Sequence, residues 1–169
     1  MRAYVALLRA VNVGGTGKLP MSELKSMCES IGFRRVRTYI ASGNVVFDSP
    51  KSKKQVKQAL EAVLEQYAGK PVGVHVRTPA EMNAIHEANP FPDKAPNRTV
   101  VIFLDTQPPD DALNHAKGVK DEEMSLGACE IYVHYGEGMG QSKLRIPAAN
   151  DGTARNINTV AKLIEMSNE

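Results

Sequence analysis

The chain has no tryptophan, and its aromatic content is confined to five tyrosines and four phenylalanines. Few rings means few stacking platforms for bases. If 42–49 is read as the octamer of an RNA-recognition sheet, Phe47 is its only aromatic residue, which argues against that class of binder. Cysteine is equally sparse. Cys28 and Cys129 each sit in an apolar pattern and suit buried free thiols of a reducing compartment better than a disulfide. No apolar run approaches the length of a membrane span, and Ala3 to Leu8 lacks the length and cleavage pattern of a signal peptide. A soluble protein of the cytoplasm, with no membrane partner, is expected.

Chemistry with strict spacing is missing too. His75, His86, His115 and His134 are scattered, with no cysteine or carboxylate at ligand spacing, so no metal site is expected. Gly14-Gly15-Thr16-Gly17-Lys18 stands in the right context for a phosphate loop. However, a Walker A loop requires glycine where Asn12 stands and serine or threonine where Leu19 stands. The dinucleotide fingerprint fails at Pro20. What remains is a glycine turn that either redirects the chain or offers N–H groups and a lysine to an anion. Ser22-Glu23-Leu24-Lys25 matches a serine/lysine nucleophile motif but lacks its companion motifs. Neither a catalytic residue nor a cofactor is identified, and enzymatic activity is left open.

What is present describes an ordered chain. Its 169 residues suffice for one sizeable core or two small packed subdomains, and 42% hydrophobic with 24% charged residues is ordinary for a globular protein. A net charge of +2 conceals an asymmetry: residues 1–80 carry +8 and residues 81–169 carry −6. Such a basic half can meet phosphate or nucleic acid, and the acidic half can meet the basic half of another copy.

Periodicity supplies the fold. Ala3 to Arg9 reads as a strand buried on both faces or central in a sheet. Met21, Leu24, Cys28 and Ile31 follow helical spacing up to Gly32. Val36 to Ile40 and Val45 to Phe47 form a hairpin across 41–44. Ser52 with Gln55 makes a capping box for a helix whose apolar face is Val56, Leu60, Val63, Leu64 and Tyr67, and Val72 to Val76 adds a strand. The order β-α-β-β-α-β over 3–77 is the split unit of ferredoxin-like folds, in which two helices cover one face of an antiparallel sheet. Thr78-Pro79-Ala80-Glu81 opens a further short helix, and 89–97, with three prolines, is a connector.

Beyond it, a strand at 99–104, a short helix near 112–117, a hairpin over 122–134 and a helix around 142–145 repeat the pattern. A last helix starts at Thr153 and buries Ile157, Val160, Ala161 and Ile164 in place of a final strand. The expectation is an α+β protein of duplicated ferredoxin-like (βαββαβ) subdomains with antiparallel sheets and an extra C-terminal helix. Residues 1–77 form the first subdomain, 78–98 the linking helix and proline-rich connector, and 99–169 the second subdomain, all in one compact unit.

Three polar cassettes stand at element ends, where sites are usually built. They are the Asn12-Gly14-Gly15 loop, the Ser42-Gly43-Asn44 turn, and Thr153, Arg155, Asn156 and Asn158 at the last helix start. With Lys143, these residues are the candidate site for a small phosphorylated or carboxylated ligand, since a helix start offers N–H groups and an arginine pairs well with an anion. The alternative for the amides is purely local bonding that ties the chain down.

Four ordered motifs carry a resemblance: Leu7 to Gly15, Arg37 to Phe47, Ala88 to Pro92, and Thr153 to Thr159. Together they resemble the bacterial family known as domain of unknown function 1697, over essentially the whole chain. The resemblance implies a compact α/β protein with ferredoxin-like subdomains, and it implies no reaction, cofactor or catalytic residue. Two other functions compete with ligand binding. One is nucleic-acid backbone binding through Arg34, Arg35, Arg37 and the lysines of 51–57; the other is a structural protein whose basic and acidic halves pair between copies. The oligomeric state is not legible.

Overall fold

Tyr4 to Leu8 are each at most 1% exposed, because the strand they form is central in its sheet. A computed structural model of the chain describes residues 1–12 and 18–169; the glycine turn, with Gly14 and Gly15, therefore lies outside the described residues. The chain divides into two units, residues 1–82 with 163–169, and residues 83–162.

In the first unit the elements are β1 (Arg2–Leu8), α1 (Met21–Ser30), β2 (Arg34–Tyr39), β3 (Asn44–Ser49), α2 (Lys53–Ala68) and β4 (Val74–Arg77). The sheet runs β2-β3-β1-β4 with every pairing antiparallel, the ferredoxin-like order. Side chains of β1 alternate across it. Tyr4, Ala6 and Leu8 join Val45 and Phe47 of β3 in one core with Leu24 and Cys28 of α1 and Val56, Leu60 and Leu64 of α2. Phe47 stacks on Phe33 with centroids 4.1 Å apart, so the single ring of 42–49 belongs to the core. Burial holds the Cys28 thiol up at about 12, with Glu29 adding to the effect, so Cys28 stays protonated at neutral pH.

Two helix starts are fixed by local chemistry. At Ser52 the hydroxyl accepts from the Gln55 N–H, and the Gln55 side chain accepts from Ser52 N–H, as a capping box requires. Thr78 and Glu81 repeat the device at α3 (Pro79–Glu87), with Lys53 paired to Glu81 at 2.9 Å. Burial alone would raise the Glu81 carboxyl, but the Thr78 N–H and Lys53 outweigh it and hold it below the ordinary value.

The second unit contains β5 (Thr99–Phe103), β6 (Glu123–Leu126), β7 (Glu130–His134) and β8 (Thr153–Asn156), in the order β6-β7-β5-β8, again antiparallel throughout. The strand order of the first sheet therefore recurs. Its connections differ from expectation: 112–115, 136–141 and 147–149 are 3₁₀ turns, and 142–145 is not helical. Pro109, Pro147 and the glycines of 136–140 leave too little room for a full α-helix to propagate.

The last polar cassette is also corrected. Thr153 does not start a helix: 153–156 is a strand whose backbone pairs with β5, Phe103 opposite Thr153 and Val100 opposite Asn156. Antiparallel pairing with the edge of β5 gives alternate residues of this segment backbone partners, and β8 becomes the edge strand of its sheet. Gly152 makes the approach possible, since a Cβ there would lie 2.8 Å from Ile102 Cγ2. The expected loss of a final strand is thus reversed, and α4 (Ile157–Ser167) follows the strand. The buried side chains of α4 are Ile157, Thr159, Val160, Leu163, Met166 and Ser167, whereas Ala161 is exposed and Ile164 only half-buried.

Among the described residues, no helix is long and apolar enough to cross a membrane, and no group of three His, Cys, Asp or Glu is placed to hold a metal ion.

Candidate functional site

The first two cassettes meet in the first unit. The Asn12 side chain donates to Leu19 O and Ala41 O, both at 2.8 Å, and its Oδ1 accepts the Leu19 N–H at 2.6 Å. Asn12 itself has φ +57°, a conformation that asparagine tolerates better than most residues. Its amide closes the loop from residue 12 to residue 19 and fastens it to the 41–44 turn. That turn is anchored in return: Gly43 O accepts the Leu8 N–H at 2.8 Å. A Cβ on Gly43, whose φ is +90°, would stand 2.6 Å from Val11 Cγ2. Asn44 is fully buried and donates to Tyr39 O and Ser42 Oγ. These polar residues build a corner of the fold.

In the second unit, Arg155 is buried, and one of its terminal nitrogens donates to Thr153 Oγ1 at 2.7 Å and to Ala154 O at 2.9 Å. Burial pushes its guanidinium down to about 10, so it still carries charge at neutral pH. Asn156 caps α4 by accepting the Thr159 N–H at 2.8 Å. Asn158 is exposed on the first turn. Lys143 is exposed beside Lys120 in a polar hollow of about 350 Å³, whose wall also carries Asp121 and Glu122.

Four of the basic residues proposed for nucleic-acid contact are engaged by the fold itself. Arg37 donates to Met166 O at 2.5 Å and Arg35 to Glu169 O at 2.6 Å, so both serve the C-terminal end of α4. Lys57 bonds Val74 O, and Lys53 pairs with Glu81.

A cleft of about 710 Å³ opens where β1 ends. Three segments wall it. The first is 9–11, held against 73 by the Arg9 N–H bonded to Gly73 O at 2.9 Å; the second is 18–19, held by Asn12. The third runs from the last turn of α2 through 73, past Gly69, whose left-handed φ of +72° ends the helix. The lining includes Arg9, Lys18 and Lys70, and no Asp, Glu or His among the described residues. Leu19 and Leu64 form an apolar floor. Periodicity assigned Tyr67 to the core stripe of α2, yet it is 47% exposed and lines this cleft.

Sequence reasoning singled out Lys18 within the glycine turn but not Arg9, Lys70 or Tyr67. Arg9 ends an apolar run and Lys70 follows a C-cap glycine, and neither position carries a local signature of a site.

The sequence matches the family described as "Protein of unknown function (DUF1697)" over residues 1–132. The chain belongs to this family. A conserved bacterial protein of Streptococcus pneumoniae, SP0830, has a similar structure, with a TM-score of 0.79, 25% sequence identity and 98% of each chain covered. No curated protein matches it in sequence. The family and its solved relative agree with the doubled α+β architecture and bring no reaction with them.

Proposed function

We propose that this chain binds a small anionic ligand, phosphorylated or carboxylated, in the cleft of the first unit. The observation that carries the reading is the charge of the lining: Arg9, Lys18 and Lys70, with no acidic residue among the described ones. A concave, one-signed site with an apolar floor focuses potential on a bound anion more than scattered surface lysines do. Asn12 and the 41–44 turn contribute by holding Lys18 and Leu19 against β1, a positioning role distinct from contact with the ligand. The described lining also lacks the carboxylate, histidine, serine or cysteine that acid–base or nucleophilic work would use, which favours recognition over catalysis.

Calorimetric titration with inorganic phosphate, pyrophosphate and citrate at low salt tests this. Saturable heat is expected. Lys18→Ala and Lys70→Ala each weaken binding about tenfold, in line with loss of one charge-assisted contact. Absence of saturable binding at about 5 mM of any of the three anions refutes it, since even a site of about −4 kcal/mol would then be filled.

A further inference from the structure

We infer that the ligand of this cleft is an anion joined to a planar aromatic group, with the charge held by Arg9, Lys18 and Lys70 and the ring laid against Tyr67 and Val72. The inference rests on reading the cleft as an anion site. Three observations extend it to the body of the ligand.

First, the cleft of about 710 Å³ falls within the range that houses drug-sized molecules and is several times larger than a phosphate or carboxylate group needs. Second, its floor is apolar. Leu64 and Leu19, 1% and 5% exposed, are core residues that make the base of the cleft rigid and leave contact with a ligand to the side chains above them. Half-buried Val72, packed on that core, is the aliphatic side chain that the third wall presents to the cleft. A bare anion would gain nothing from Val72 and Tyr67 and would be held away from water by them at a cost.

Third, Tyr67 is out of place for a purely structural residue. It falls on the same helical stripe as Leu60 and Leu64, both at most 1% exposed, yet it belongs to the small group of large apolar side chains that remain strongly exposed. A tyrosine ring at the mouth of a cationic cleft offers a flat face with only two side-chain torsions to fix, which suits a planar partner. The polar hydroxyl remains wet while the ring body is covered, the arrangement tyrosine adopts at binding surfaces generally.

The probes are inorganic phosphate, 1-naphthyl phosphate and 1-naphthol, titrated against the full chain and against Tyr67→Ala, Tyr67→Phe and Lys18→Ala. Naphthyl phosphate is expected to bind about tenfold tighter than inorganic phosphate or better. Tyr67→Ala removes that advantage while leaving the affinity for inorganic phosphate within about twofold, and Tyr67→Phe retains it. Lys18→Ala weakens both anions.

If naphthyl phosphate binds no tighter than phosphate, or if Tyr67→Ala leaves its advantage intact, the aromatic inference is overturned while the anion reading stands. If neither anion binds, or if 1-naphthol binds as tightly as its phosphate, the anion reading itself fails. Far-ultraviolet circular dichroism and thermal unfolding of each variant separate lost binding from lost folding, and exposed Tyr67 and Lys18 are positions where folding is expected to survive.

Discussion

Replacing Asn12 by alanine removes three hydrogen bonds at once, two donated to Leu19 O and Ala41 O and one accepted from Leu19 N–H. Each neutral bond contributes about 0.5–1.5 kcal/mol net, and water can reach the exposed Asn12 position and offset part of the loss. The lower half of that range, about 1.5–3 kcal/mol for three bonds, is therefore the expected cost. Alanine also adopts φ near +57° less readily than asparagine, adding up to about 1 kcal/mol. A total of roughly 2–4 kcal/mol is a large share of the stability of a domain this size. Urea unfolding followed by circular dichroism measures it as a lower midpoint at unchanged slope. Asn12→Gly separates the contributions, since it relieves the φ penalty and keeps the hydrogen-bond loss. If Asn12→Ala unfolds within about 0.5 kcal/mol of the parent, Asn12 does not brace the loop, and the account of how Lys18 reaches the cleft is wrong.

Other substitutions probe the remaining structural assignments. Gly43→Ala forces a Cβ to 2.6 Å from Val11 Cγ2 at φ +90° and should cost about 2–4 kcal/mol; Gly32→Ala, with φ +91° and open space around it, should cost only about 1 kcal/mol in the same unfolding assay. Asn156→Ala removes the α4 cap and should cost about 1 kcal/mol, whereas Thr153→Ala should leave helix content unchanged because Thr153 is in a strand; loss of helical circular dichroism in the second variant would count against that placement. Glu81 has a folded-state pKa below its ordinary value, so its stabilisation is present above the ordinary carboxylate range and is lost as pH falls through the folded value. Glu81→Ala should therefore be about 1 kcal/mol less stable than the parent at pH 7, with the gap closing towards pH 3. A gap that is independent of pH would contradict the assignment.

The contrast between what could and could not be read from the sequence follows the range of the forces involved. The pairs Ser52/Gln55 and Thr78/Glu81 are legible because a capping box is closed within four residues. The central strand at Tyr4 to Leu8 is legible because burial on both faces leaves a continuous apolar run. Thr153 to Asn156 is not, because four small or polar residues carry no alternation and become a strand only through pairing with Val100 to Phe103, about fifty residues earlier. The cleft is hidden for the same reason. Arg9, Lys18 and Lys70 come together through the Arg9–Gly73 backbone bond and the Asn12 brace, and spacing along the chain does not encode them as a set. Asn12, Asn44 and Asn156, legible in the sequence as candidate site residues, also satisfy backbone groups at turns and caps, a common task of amide side chains.

The central claim is that the cleft between the end of β1 and the end of α2 takes an anion. Amide chemical shifts of the ¹⁵N-labelled full chain, followed during titration with inorganic pyrophosphate, test it most directly. Saturable shifts confined to residues 9–11, 18–19 and 70–73, and abolished in Lys18→Ala/Lys70→Ala, are the expected result. Shifts that fail to saturate, or that centre on 143 and 153–158 instead, would contradict it.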